Sequence, residues 1–252
     1  MLNGTYEKLK QRSKVFGTTI SHFSWTGVVP LLKKRNIDFV IIELEHNFFD
    51  WRDMEGLLRT SNTVALTAFV RITELAYNQV SKVLDLGANG IIIPRIETVA
   101  ELERAVDMMR LPPRGRKGVG GYDFSGDDLL NKLANYNMEK MIIIQMENPT
   151  AIANLGAMLD MKEVAGVIVG PYDLSVSMEI PGQLQHPRFI QAVNDVIEIC
   201  GKYQVSCGMY MGSSADMKYW RERGMNIIWS GSDIDFYVKG YHALCDTVEQ
   251  MD

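Results

Sequence analysis

Eight short apolar runs, each separated from the next by a longer stretch of helical periodicity, constrain this chain more than any other feature. They run from Phe16 to Ile20, Phe39 to Glu45, Val64 to Arg71, Gly90 to Pro94, Met141 to Glu147, Gly166 to Val169, Val205 to Tyr210 and Asn226 to Trp229. Apolar runs of this length, alternating with helices, are the signature of repeated βα units, which make a parallel sheet with right-handed crossovers. Eight strands is the count for a closed (β/α)8 TIM barrel. No Pro/Gly/Ser-rich linker divides the 252 residues, so residues 1–252 are expected to form one such domain rather than a doubly wound sheet.

Helix punctuation falls where the pattern needs it. Thr98 with Glu101 reads as a capping box, Asn148 with Pro149 as an N-cap and first helical residue, and Gly87 and Gly224 as helix stops. One connection, from Leu111 to Tyr122, is too long and too rich in Gly and Pro for a simple turn. It is expected to form a lid or wall over the functional site.

Charge excludes one class of partner. With 26 Lys plus Arg against 31 Asp plus Glu the net charge is -5, and no long basic run offers itself to a phosphate backbone, so nucleic acid is not expected. No apolar stretch reaches membrane-spanning length, and the polar segment from Met1 to Arg12 lacks the apolar centre of a signal peptide. No membrane partner and a cytoplasmic location are therefore expected. Cys200, Cys207 and Cys245, an odd count without metal-site spacing, read as reduced core thiols.

Two carboxylates close two of the runs. Glu147 ends Met141-Ile142-Ile143-Ile144-Gln145-Met146-Glu147, and Asp173 follows Val167-Ile168-Val169-Gly170-Pro171-Tyr172. In a parallel barrel both emerge at one rim, the active-site rim, where hard oxygen ligands can share a divalent cation. Glu43, Glu45, His46, Arg71 and Gln145 gather at the same strand ends. Each alone is matched by a structural reading, since N-caps and loop carboxylates also collect there.

Together they suit carbanion chemistry beside a carbonyl. A 2-oxo acid would chelate the cation, Arg71 would add a fixed cationic donor, and His46 would be the acid/base. His22, His186 and His242 read more simply as loop or helix residues, with His22 retained for scrutiny. A Schiff base would need a lysine at a strand's C-terminal end, and none is expected there: Lys140 precedes its strand and Lys117 lies in the long loop.

The residues resemble the HpcH/HpaI aldolase/citrate lyase family, the metal-dependent class II pyruvate aldolases. The resemblance rests on 39–46 (FVIIELEH), 83–90 with Ile93-Pro94, 112–120 (PPRGRKGVG), Ile144-Gln145-Met146-Glu147, and Gly170-Pro171-Tyr172-Asp173-Leu174-Ser175, and spans nearly the whole chain. It implies a (β/α)8 barrel of the pyruvate/phosphoenolpyruvate-binding type that reversibly cleaves a 4-hydroxy-2-oxo acid to pyruvate and an aldehyde through a metal-stabilised enolate. It implies Glu147 and Asp173 as ligands of Mg, Mn or Co, Arg71 as the contact to the keto oxygen, and His46 as acid/base oriented by Asp85. Gln145, Gly170 and Pro171 would contact the 2-oxo acid, and Val119 would line the aldehyde side.

Glu43 stands where that family usually has Asp, so a histidine held by this longer carboxylate would be oriented differently, and Lys117 stands where arginine is common. The resemblance also implies a homo-oligomer, a hexamer among the candidate states. The final segment, Asp233 to Gln250, carries Ile234, Tyr237, Val238, Tyr241, Leu244, Cys245 and Val248 on one helical face, which would either pack on its own barrel or be exchanged between subunits.

Three other readings share the sequence. They are decarboxylation of oxaloacetate, a phosphate-binding barrel using Gly212-Ser213-Ser214 and Ser230-Gly231-Ser232, and a non-catalytic 2-oxo-acid-binding relative.

Overall fold

The computed structural model describes residues 4–120 and 128–251. All eight expected strands form: β1 (Val15–Ile20), β2 (Phe39–Glu43), β3 (Thr67–Arg71), β4 (Gly90–Ile93), β5 (Met141–Met146), β6 (Val164–Val169), β7 (Ser206–Tyr210) and β8 (Ile227–Ser232). They pair in parallel in chain order, and β1 closes on β8 through Val15↔Ile227 and Gly17↔Trp229. The expected (β/α)8 barrel is the observed fold.

Helix α1 (Gly4–Lys10) precedes the barrel, and α2 (Val28–Lys33), α3 (Trp51–Thr63) and α4 (Tyr77–Asp85) follow β1, β2 and β3. Then come α5 (Val99–Met109) and α6 (Leu129–Glu139) after β4, α7 (Pro149–Asp160) after β5, and α8 (Pro171–Ser177) and α9 (Pro187–Tyr203) after β6. Helix α10 (Ser214–Glu222) follows β7, and α11 (Asp233–Glu249) follows β8.

Two buried clusters follow from the period of two along each strand. Val40 and Ile42, Ala68 and Val70, Ile142 and Ile144 face the helical shell, whereas Phe39 and Ile41, Phe69, Ile143, Ile168, Ile227 and Trp229 fill the barrel. Large interior side chains need small neighbours. A Cβ at Gly17 would lie 2.1 Å from the Phe39 ring, and one at Gly208 would lie 1.9 Å from the Ile227 carbonyl oxygen. The same parity points Glu43, Arg71 and Gln145 inward at the strands' C-terminal ends.

The local signals act as expected. Thr98 and Glu101 form the capping box, Asn148 accepts from the Ala151 N–H, and Gly87 and Gly224 adopt φ of 108° and 110°. Val64 to Leu66 are not strand: Val64 caps α3 and Ala65 turns the chain at φ 52°, so β3 begins at Thr67.

One expectation is corrected, and one of the two readings left open for the last helix is set aside. The described part of the long loop does not cover the strands' C-terminal ends. Its N–H groups bond to the end of α5 (Arg116 to Asp107 O, Lys117 to Arg110 O), and Arg114 pairs with Glu163 ahead of β6, on the side where strands begin. Tyr122 lies outside the described residues. Nor does α11 pack along its barrel: of its residues only Asp233 is buried, and Tyr237, Tyr241, Leu244 and Val248 are all more than half exposed.

Candidate active site

Glu43 and Arg71 are register partners on β2 and β3, so their side chains leave the sheet side by side. Glu43 Oε2 accepts from Arg71 Nε and Nη2, both at 2.6 Å. Its other oxygen accepts from the main-chain N–H groups of Glu45 (2.7 Å) and His46 (3.3 Å). The longer carboxylate therefore holds the turn that presents His46 and fixes Arg71; it makes its bond to His46 through the backbone rather than the ring.

Glu45 supplies the partner to that ring. Its Oε2 lies 3.6 Å from His46 Nε2 and 3.5 Å from Arg71 Nε, and its Oε1 lies 3.2 Å from Arg95 Nη2. Burial pushes the Glu45 carboxyl up from its ordinary range, against the pull of Arg71, His46 and Arg95. The His46 side chain is 61% exposed, so it can exchange protons with solvent or substrate.

Glu147 sits deeper. Gln145 Nε2 donates to Oε1 at 2.5 Å, and the Arg95 N–H donates to Oε2 at 2.7 Å from a left-handed residue at φ 52°. Desolvation pushes its carboxyl up to about 7, and the charges of Glu45 and Asp173 add to the rise. Asp173 stands exposed in the first turn of α8, entered through Gly170 and Pro171. A Cβ on Gly170 would lie 2.7 Å from Glu147 Oε1 and 2.8 Å from Gln145 Nε2, so a side chain here would push these two groups from their present positions.

The donor set fits a divalent cation. A buried carboxylate destabilised by two neighbouring carboxylates is relieved by positive charge, and Glu45 Oε2, also buried, has no hydrogen-bond partner. Among the described residues no cluster of three or more His, Cys, Asp or Glu side chains is arranged as ligands, so the protein would supply Glu147 and Asp173 and leave positions for water and substrate.

The family model for HpcH/HpaI aldolase/citrate lyase matches residues 30–239. The chain belongs to this family. Its barrel superimposes on the HpcH/HpaI aldolase from Desulfitobacterium hafniense with a TM-score of 0.91, at 26% identity, over 96% of this chain and 95% of that one. A 4-hydroxy-2-oxo-heptane-1,7-dioate aldolase from Salmonella heidelberg is 28% identical over 87% of each chain. A hydroxypyruvate/pyruvate aldolase from Roseobacter denitrificans is 28% identical over 84% of this chain and 86% of its own. The protein is accordingly an enzyme of the aldolase kind, a carbon-carbon lyase.

Not every residue implied by the HpcH/HpaI resemblance reaches the mouth of its own barrel. Asp85 is the last residue of α4, on the side where strands begin, and its Oδ1 accepts from Lys117 Nζ at 2.6 Å. It does not orient His46 within the chain; Glu45 is the carboxylate beside that ring. Val119 follows the segment bound to α4, where the Gly118 N–H donates to Tyr77 Oη, and is half exposed.

Ser213 after β7 and Ser232 at the end of β8 are helix caps, Ser213 accepting from Asp216 N–H and Ser232 from Asp235 N–H. These caps account for Ser213 and Ser232 without a phosphate. His22 likewise serves the fold: its main-chain N–H donates to the buried Asp233, and its ring Nδ1 lies 2.8 Å from Ser21 Oγ.

Sequence reasoning missed Arg95 and Trp229. Arg95 follows the Pro94 that closes the fourth run, and Trp229 ends the eighth. The rim rule that found Glu147 reaches both, but an arginine after proline and a tryptophan in an apolar run carry no motif of their own.

Proposed function

We propose that this protein is a divalent-metal-dependent pyruvate aldolase that reversibly joins pyruvate to an aldehyde, giving a 4-hydroxy-2-oxo acid. The observation that carries the reading is the buried Glu147, held at a carboxyl pKa of about 7 beside Asp173 and within reach of the Arg71 network. The name of the Roseobacter relative supports the pyruvate half, and that of the Salmonella relative the 4-hydroxy-2-oxo acid.

Glu147 and Asp173 would hold Mg, Mn or Co. When bound, the cation supplies Lewis-acid polarisation of the 2-oxo acid's oxygens. Arg71, locked by Glu43, aims its remaining N–H donors at the keto oxygen as negative charge develops there. His46 carries the proton exchanged with the aldehyde-derived oxygen, with the Glu45 carboxylate beside its ring. Gln145 orients Glu147, and the Gly170-Pro171 backbone borders the 2-oxo acid.

Association with further copies of the chain, up to a hexamer, is part of the proposal. The exposed apolar face of α11 supports it, and a neighbouring subunit is the route by which Asp85 and Val119 would reach a barrel mouth. Cytoplasmic residence belongs to the same proposal; among the described residues no helix is long and apolar enough to cross a membrane.

Exchange of the pyruvate methyl protons for deuterium, followed by NMR, tests the central step. Exchange is expected with added Mg, Mn or Co and not with chelator-treated protein. No exchange in folded, metal-loaded protein would overturn the reading.

A further inference from the structure

We propose that Trp229 is a positioning residue for Arg71, on the reading above that Arg71 faces the keto oxygen. The two residues come from β8 and β3, strands that are not ladder neighbours, and meet across the barrel with the Arg71 guanidinium carbon 5.6 Å from the centre of the Trp229 ring. The ring is itself held. Its Nε1 donates to Thr19 Oγ1 at 2.7 Å, the Tyr210 ring meets it edge-on with centroids 5.4 Å apart, and only 6% of the residue is exposed.

What Trp229 adds is distinct from what Glu43 adds. Glu43 occupies Nε and Nη2, while Nη1 reaches only a long 3.5 Å contact to Gln145 Oε1. Glu45 Oε2 stands 3.5 Å from Nε, the edge Glu43 already occupies, and a carboxylate on the ring's side would take up the remaining donors that the keto oxygen requires. An aromatic face attracts the cation through its quadrupole without occupying an edge donor, so the guanidinium is held while its outer donors are left for substrate. Such a contact is stronger where water is excluded, as at this nearly closed floor of the mouth.

The test compares wild type, Trp229→Phe and Trp229→Leu. In 1H–15N spectra of the metal-free proteins, the Arg71 Nε–H resonance, assigned by its loss in Arg71→Lys, is expected to carry a ring-current shift in wild type. Trp229→Phe should keep most of that shift and Trp229→Leu should lose it. With metal and pyruvate, Trp229→Leu should lower kcat/KM for methyl-proton exchange about tenfold, whereas Trp229→Phe should stay within about threefold of wild type.

Metal affinity by calorimetry should be unchanged in both variants. An Arg71 resonance that keeps its wild-type position in Trp229→Leu, or equal losses in the two variants tracking a common fall in Tm, would make Trp229 a packing residue only and overturn the proposal. Absence of exchange in the wild type would instead remove the aldolase reading, while the resonance still decides whether Trp229 positions Arg71.

Discussion

A carboxyl that accepts from Gln145 and the Arg95 N–H, and that burial raises to about 7, keeps its proton at pH values where a free glutamate has lost it. Because the folded pKa lies above the ordinary glutamate value of 4.5, the stability tied to Glu147 is present below pH 4.5 and is lost as pH rises to 7. The full loss is about 3 kcal/mol, at roughly 1.4 kcal/mol per unit. Glu147→Gln keeps the shape and removes that charge. The expected outcome is a metal-free protein at least as stable as wild type at pH 8 by urea unfolding, with methyl-proton exchange reduced at least about a hundredfold. A variant both destabilised and active would contradict the assignment. At Gly170 the constraint is steric: Gly170→Ala puts a methyl 2.7 Å from Glu147 Oε1, so metal affinity by calorimetry should fall at least about tenfold. An affinity equal to wild type would show that the backbone there has room to move.

Elements whose local chemistry is self-contained were the legible ones. Asn148 caps α7 because its side chain reaches the Ala151 N–H three residues on, a relation readable from spacing alone. Asn148→Ala should therefore cost about 1 kcal/mol in chemical denaturation, and a cost near zero would mean that water replaces the cap. The inward positions of Glu43, Arg71 and Gln145 were legible for the same reason, since a period of two needs no knowledge of partners. What spacing does not encode is which distant side chain answers a charge. Asp85 pairs with Lys117 and His46 with Glu45, a choice set by where α4 ends relative to β2. The fate of the α11 face was open for a related reason: its apolar stripe states that something covers it, not what. Tyr241 and Leu244 are 57% and 62% exposed, so lysine at both should leave the barrel's circular dichroism intact and shift the protein to monomer in light scattering. Unchanged mass would place the subunit contacts elsewhere.

At the scale of the whole molecule, the barrel turns eight locally unremarkable strand ends into one charged mouth. Glu43, Glu45, Glu147 and Asp173 face Arg71 and Arg95 there, so carboxylates outnumber the guanidinium groups. Closure of β1 on β8 brings the strand ends that carry these groups to one rim, above the hydrophobic interior. Binding a divalent cation should therefore stabilise the entire fold, because the unfolded chain disperses the ligands. The gain depends on pH with a definite sign. Below pH 7 the cation must displace a proton from Glu147, so apparent affinity falls by up to about tenfold per unit of acidification; above pH 7 that competition vanishes. The rise in Tm on adding a fixed concentration of Mn should be clearly larger at pH 8 than at pH 6, by differential scanning calorimetry. In Glu147→Gln the rise should be small at both pH values, since the titrating ligand is gone. Equal rises at the two pH values in wild type would mean that the cation binds without deprotonating Glu147, and the carboxylate pair would then not be the metal's seat.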